Sequence, residues 1–214
     1  MKQGFVKVAS ATPRIRVADP VYNAQVICEQ AKEAAEHGAK IVVFPELCIT
    51  GYTCNDLFLQ ELLLEKAKEA LLTIAEETGQ LETLFLVGLP VDKDGRLYNV
   101  AAVLYRGRIL GMIPKKNIPM YAEFYEGRHF TPGEETVTEY RLGKQVIPFG
   151  SNLLFRCEEL PELVLGCELC EDLWVAEPPS TSHALMGATV IANLSASNET
   201  VSKDDYRTLL IKAS

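Results

Sequence analysis

Three residues of complementary chemical type stand at equivalent places in this 214-residue sequence: Glu46 after Val43-Phe44, Lys115 after Gly111 to Pro114, and Cys170 after Leu163 to Leu169. Each preceding run reads as a strand, so each side chain stands just past a strand end. There a sheet fixes a group while loops admit substrate. A carboxylate, an ammonium and a thiol suffice for acyl transfer from an amide. The carboxylate takes the thiol proton and later hands it to the leaving ammonia, the thiolate attacks the carbonyl, and the ammonium stabilises the tetrahedral oxyanion. Taken singly, each has a plainer reading. Cys170 could be an inert buried thiol, although Glu171-Asp172 directly after it weigh against apolar burial. Glu46 could cap a turn, and Lys115 could be a solvated surface group. Their joint occurrence is what points to chemistry.

Cys167-x-x-Cys170 has the spacing of a redox dithiol or half a zinc site. A second pair is lacking, and none of the three histidines stands at a ligand spacing, so no metal site is expected. A Cys-His pair using His183 or His129 is conceivable, but core or surface packing is the simpler role for both. Lys115 would lower the Cys170 thiol pKa and Glu171 and Asp172 would raise it, so the net shift is not legible in the sequence.

The elements that must position these residues alternate in kind. Phe5 to Ala9 reads as a strand; Tyr22 to His37 reads as an amphipathic helix that starts at Asp19-Pro20 and stops at Gly38. Ile41 to Phe44 is a continuous apolar run of the sort buried on both faces. A second helix spans about Glu61 to Thr78, with Leu62, Leu63, Ala67, Ala70, Leu71, Ile74 and Ala75 on its inner side. Thr83 to Val91, Leu97 to Tyr105 and Arg108 to Ile113 form a meander with turns at Asp94-Gly95 and Arg106-Gly107. Pro114 to Gly150 reads as irregular, and a structureless stretch of that length is usually functional. Asn152 to Phe155, Leu163 to Leu169 and Thr189 to Leu194 read as strands, Ser182 to Gly187 as a helix, and a last helix begins near Lys203. That helix is still amphipathic at Ser214, which suggests a chain truncated at its C-terminus. Helices outside sheets give an α/β sandwich, taken as one domain over residues 1–214.

Composition narrows the partners. A net charge of −8 and a pI near 5.0, with no cluster of Lys and Arg to make a phosphate-tracking face, argue against nucleic acid, so small molecules or proteins are the expected partners. No apolar run approaches the ~20 residues that cross a bilayer, and the N-terminus has no signal-peptide pattern. Six cysteines, mostly inside apolar segments, read as reduced thiols. A cytoplasmic location follows.

Phe44-Pro45-Glu46-Leu47 with Thr50-Gly51-Tyr52, then Pro114-Lys115, then Gly166-Cys167-Glu168-Leu169-Cys170-Glu171-Asp172-Leu173-Trp174 resemble, in order, the glutamate, lysine and cysteine motifs of the nitrilase superfamily of carbon-nitrogen hydrolases. The resemblance implies a four-layered αββα sandwich with a Glu-Lys-Cys triad, and it covers nearly the whole chain. Lys115 to Glu126, Cys170 to Trp174 and Asn193-Leu194-Ser195-Ala196-Ser197 are similar, more narrowly, to the glutaminase domains of glutamine-dependent NAD synthetases. In that branch a glutaminase releases ammonia to a separate ATP-dependent synthetase domain that amidates deamido-NAD.

By that resemblance Glu46, Lys115 and Cys170 are catalytic. Tyr52, Tyr121, Phe124, Glu171 and Ser197 line the glutamine site, Glu126 orients Lys115, and Arg207 assists in holding substrate. The half-reaction needs no cofactor; ATP and Mg serve only the synthetase domain, whose Ser-Gly-Gly loop is absent from these residues. Against the family's pattern the last strands of the sandwich are expected to be missing from these residues, and a homo-oligomer is expected from the superfamily's tendency to assemble. Two rival readings are a free-standing nitrilase-type amidase or N-carbamoyl amide hydrolase, and a non-catalytic interaction domain on the same fold.

Overall fold

The computed structural model describes residues 4–213. Asp19 caps the first helix, α1 (Pro20–Glu36), by accepting from the Tyr22 N–H, and Pro20 fills the first helical position, where its missing N–H costs nothing. The helix packs beside α2 (Glu61–Glu77) on one face of a seven-stranded sheet. That sheet is ordered β1 (Val8–Ser10), β2 (Ile41–Val43), β3 (Leu84–Lys93), β4 (Arg96–Tyr105), β5 (Arg108–Pro114), β7 (Gln145–Phe149), β6 (Thr138–Leu142). The β3–β4 and β4–β5 turns each carry two consecutive residues of positive φ, Asp94-Gly95 and Arg106-Gly107, as a two-residue hairpin of matching twist requires.

A second sheet of three strands, ordered β10 (Val190–Leu194), β9 (Val164–Leu169), β8 (Leu154–Arg156), packs on the other face. Ile41, Leu86, Ala101, Val103 and Ile113 of the large sheet meet Leu165, Cys167, Leu169, Ala192 and Leu194 of the small one in one buried cluster. A separate cluster joins Ile27, Ala31, Leu71 and Ile74 of the helices to Val42, Phe85 and Val87. On the outside of the small sheet α3 (Pro179–Leu185) lays His183 against Gly166, where a β-carbon would come within 2.9 Å of the ring. Helix, sheet, sheet and helix make the four-layered αββα sandwich. The final helix, α4 (Lys203–Ala213), buries no residue. Among the described residues no helix is long and apolar enough to cross a membrane.

The differences from expectation are local. Leu62 points outward and is 65% exposed, because the inner stripe of α2 runs through Leu63, Ala67 and Leu71 instead. The stretch from Pro114 to Gly150 is not irregular throughout. Its second half is the β6–β7 hairpin, turning at Gly143 with φ 58°. Pro148 disguised it, and it is tolerated because β7 meets β5 only at Met112–Phe149. The predicted helix at Ser182 starts earlier, at Pro179. Two short 3-10 segments, Tyr52–Leu59 and Cys170–Leu173, carry no helical periodicity and went unread.

Candidate active site

Strand direction brings the three candidate residues together. β2 is parallel to β3, which is antiparallel to β4, which is antiparallel to β5; β2 and β5 therefore run the same way and deliver Glu46 and Lys115 to one rim. β9 and β10 are parallel to each other and deliver Cys170 and the 195–197 segment. The segment bearing Glu46 lies directly on Gly88 of β3: a β-carbon there would stand 2.3 Å from the Leu47 nitrogen. Any other residue would push Glu46 away from the sheet.

Lys115 is fully buried. Its Nζ donates to Glu46 Oε1 at 2.7 Å and to Glu126 Oε1 at 2.6 Å, leaving one of its three protons for another acceptor. Tyr52 donates to Glu126 Oε1 at 2.8 Å, and the Ala196 N–H donates to Glu46 Oε2 at 3.0 Å. Burial acts to discharge Lys115, but Glu46 and Glu126 outweigh it and hold the ammonium above the usual lysine range. Burial first, then the Glu46 charge, pushes the Glu126 carboxyl up.

Cys170 begins a tight turn at the end of β9 with φ 41°, a left-handed conformation that a β-carbon disfavours and that recurs at functional sites. The turn is tied down by Asp172. Its carboxylate accepts from the Leu169 N–H at 3.0 Å, from the Asn117 N–H at 2.8 Å and from Asn117 Nδ2 at 2.8 Å. One buried side chain thus joins the residue before the thiol to the loop that follows Lys115. Burial settles the direction of the thiol's shift, which the opposing charges around it leave open. Cys170 is buried, and burial and then Glu46 push its thiol up to about 12, against the pull of Lys115. Asp172, read as a sign of exposure, is itself buried.

Cys170 opens into a cleft of about 240 Å³. Of the residues implied for substrate, Tyr121, Phe124, Glu171 and Ser197 line it. Tyr52 and Glu126 do not; they stand behind Lys115, with Tyr52 edge-on to Phe124 at 6.5 Å. At the mouth the Tyr121 hydroxyl donates to Glu171 Oε2 at 2.7 Å. The cation of the cleft is Lys203, not Arg207. Lys203 Nζ donates to Ser197 Oγ at 2.8 Å and lies over the rings of Trp174, at 5.1 Å, and Phe124, at 5.7 Å. Arg207 is paired with Glu199 and Asp204 and faces a neighbouring opening that contains none of the three candidate catalytic residues. Lys203 sits at the first turn of the last helix, where sequence periodicity marks only a helix start. Cys167 is in the core between the sheets, so the two cysteines do not form one site. His183 is buried with Nε2 on the Ser151 carbonyl, and His129 sits beside Asp56.

Residues 7–213 match the carbon-nitrogen hydrolase family. The chain is 41% identical over 212 residues to the glutamine-dependent NAD(+) synthetase of Mycobacterium bovis, covering 99% of this chain and 31% of that protein. It is 34% identical over 208 residues to the synthetase of the same name from Thermotoga maritima, covering 97% of this chain and 32% of that one. In structure it resembles a glutamine-dependent NAD(+) synthetase from Cytophaga hutchinsonii, with a TM-score of 0.86 at 29% identity over 97% of this chain and 33% of that one. An amidase from Nesterenkonia sp. shares the fold, with a TM-score of 0.69 at 21% identity over 93% of this chain and 68% of that one. The chain therefore spans about a third of the length of the synthetases it matches.

Proposed function

The chain belongs to the carbon-nitrogen hydrolase family, and on that premise we propose that it hydrolyses the side-chain amide of glutamine to glutamate and ammonia through a thioester on Cys170. The observation that carries the reading is the small cleft itself. The buried Glu46–Lys115 pair stands behind the thiol, and two carboxylates, Glu123 and Glu171, and one ammonium, Lys203, line the walls; Glu123 accepts from Asn198 Nδ2, which leaves Glu171 and Lys203 as the pair for a substrate. A zwitterionic α-amino acid presents the complementary ammonium and carboxylate, and a simple aliphatic amide presents neither.

With the thiol held neutral, attack requires a base, and Glu46 takes the S–H proton as sulfur bonds to the amide carbon. The oxyanion accepts the remaining proton of the Lys115 ammonium as a hydrogen bond. Collapse breaks the C–N bond, Glu46 returns its proton to nitrogen, and ammonia leaves. Water, deprotonated by the same carboxylate, attacks the thioester and releases glutamate and the thiol. These steps call on no metal or organic cofactor.

The ammonia is supplied to an ATP- and Mg-dependent amidation of deamido-NAD by a synthetase domain, an assignment supported by the named relatives and by the share of their length matched here. All six cysteines are free thiols, which favours a reducing cytoplasm. Assembly into a homo-oligomer belongs to the same reading and is checked by light scattering. The direct test is ammonia release from glutamine by the chain and by Cys170→Ala, with mass spectrometry after a diazo-oxo-norleucine. Activity lost in the variant and a single adduct on Cys170 are expected. Folded protein with neither hydrolysis nor adduct overturns the substrate assignment.

A further inference from the structure

Asn99 lies in the middle of β4, fully buried between Tyr98 and Val100. A primary amide in such a strand must find partners or cost stability. Its backbone carbonyl accepts from the Lys115 N–H at 2.8 Å, which sets it beside the lysine. Its Nδ2 donates to Glu46 Oε1 at 2.7 Å and to Glu126 Oε2 at 3.3 Å, so both amide protons are spent on the two carboxylates. Oδ1, by contrast, is buried without a hydrogen-bond partner. An amide kept in place with its acceptor unpaired is retained for its donors, because the reverse orientation would set oxygen against two anions.

The charge balance explains the need. Two carboxylates face one ammonium, Lys115, out of water. The other titratable groups at the cluster are the Tyr52 hydroxyl on Glu126 and the Cys170 thiol. An excess negative charge in such a place either takes up a proton or is met by donors.

We propose that Asn99 is a positioning residue of the reaction: its amide bridges Glu46 and Glu126, holds Glu46 oriented to receive the Cys170 proton, and so separates the working carboxylate from the one that holds Lys115. This rests on the reading of Glu46 as the base, though not on glutamine as the substrate. A role in shape alone predicts that a residue of equal size would serve as well.

The test is the rate of Cys170 alkylation by iodoacetamide as a function of pH, read by peptide mass, for the wild-type chain, Asn99→Asp, Asn99→Leu and Asn99→Ser, beside glutamine hydrolysis by each. Asn99→Leu, which lacks donors, is expected to slow alkylation at neutral pH about tenfold or more and to move the acidic limb of the profile to higher pH. Asn99→Asp, which adds a third anion, is expected to move it further, and Asn99→Ser, which keeps one donor, to fall between the wild-type chain and Asn99→Leu. In the wild-type chain the Asn99 side-chain amide protons are expected to exchange slowly and to shift in NMR as the carboxylate pair titrates, a readout that needs no variant to fold. A folded Asp or Leu variant with the wild-type rate and profile overturns the proposal, as does an amide signal indifferent to pH. Shifted alkylation profiles without any glutamine hydrolysis leave Asn99 in its role and reject the substrate. Hydrolysis unaffected by the substitutions does the opposite.

Discussion

At the floor of the cleft Lys115 and Glu46 are wholly buried and bonded to each other, to Asn99 and to the Ala196 N–H. At its mouth Tyr121 is 54% exposed, and Lys203 reaches in from the first turn of a helix that buries nothing. The floor hangs from the ends of strands shared by two packed sheets, whereas the mouth is made of loops, a single tight turn and the start of α4. The floor can therefore be held rigid for one kind of chemistry, and the mouth can be altered to choose what reaches it. Changes at the floor should lower kcat, and changes at the mouth should raise KM.

The sharpest break is Lys115→Met. It leaves Glu46 and Glu126 buried without their cation, so a loss of activity of about a thousandfold or more is expected, with destabilisation of about 3–5 kcal/mol by urea unfolding. Next comes Asp172→Asn, which turns a donor toward one of the two backbone N–H groups that Asp172 accepts from. A fall in kcat of about 10- to 100-fold is expected, with slower alkylation of Cys170 and little change in KM. Lys203→Met is expected to raise KM about tenfold with kcat nearly kept. If it lowers kcat alone, the division between floor and mouth fails.

The smallest expected effect is on stability against pH. The folded state raises the Glu126 carboxyl, by burial and the neighbouring Glu46 charge, so the native state binds that proton more readily than the unfolded chain. Stability from this group is then greatest below the ordinary glutamate value and falls as pH rises through the raised one. Melting temperatures across the weakly acidic range should show this slope, and Glu126→Gln should flatten it.

Much of this is legible in the sequence, and for definable reasons. The strands ending at Glu46, Lys115 and Cys170 are continuous apolar runs, and the relation between strand ends and chemistry needs no register. Asn99 was equally visible as an amide inside an apolar strand, yet its partners depend on the registry of β4 with β5, which pattern alone does not supply. Asp172 misled because a charge after a cysteine reads as exposure; here it is a buried staple across 55 residues of sequence. Lys203 was missed for Arg207 because the two lie four apart on one helix and both reach the Trp174 ring; only the packing of Lys203 on Phe124 and its bond to Ser197 show which one faces the cleft.

The central claim is that a neutral, buried Cys170 becomes acylated with the help of Glu46. Mixing the chain with glutamine, quenching in acid within the first turnovers and mapping the adduct by mass tests it most directly. A glutamyl group on Cys170 that appears in the wild-type chain and fails to accumulate in Glu46→Gln is the predicted result. Ammonia released at an undiminished rate by Cys170→Ala, with no acyl group on any cysteine of the wild-type chain, would contradict it.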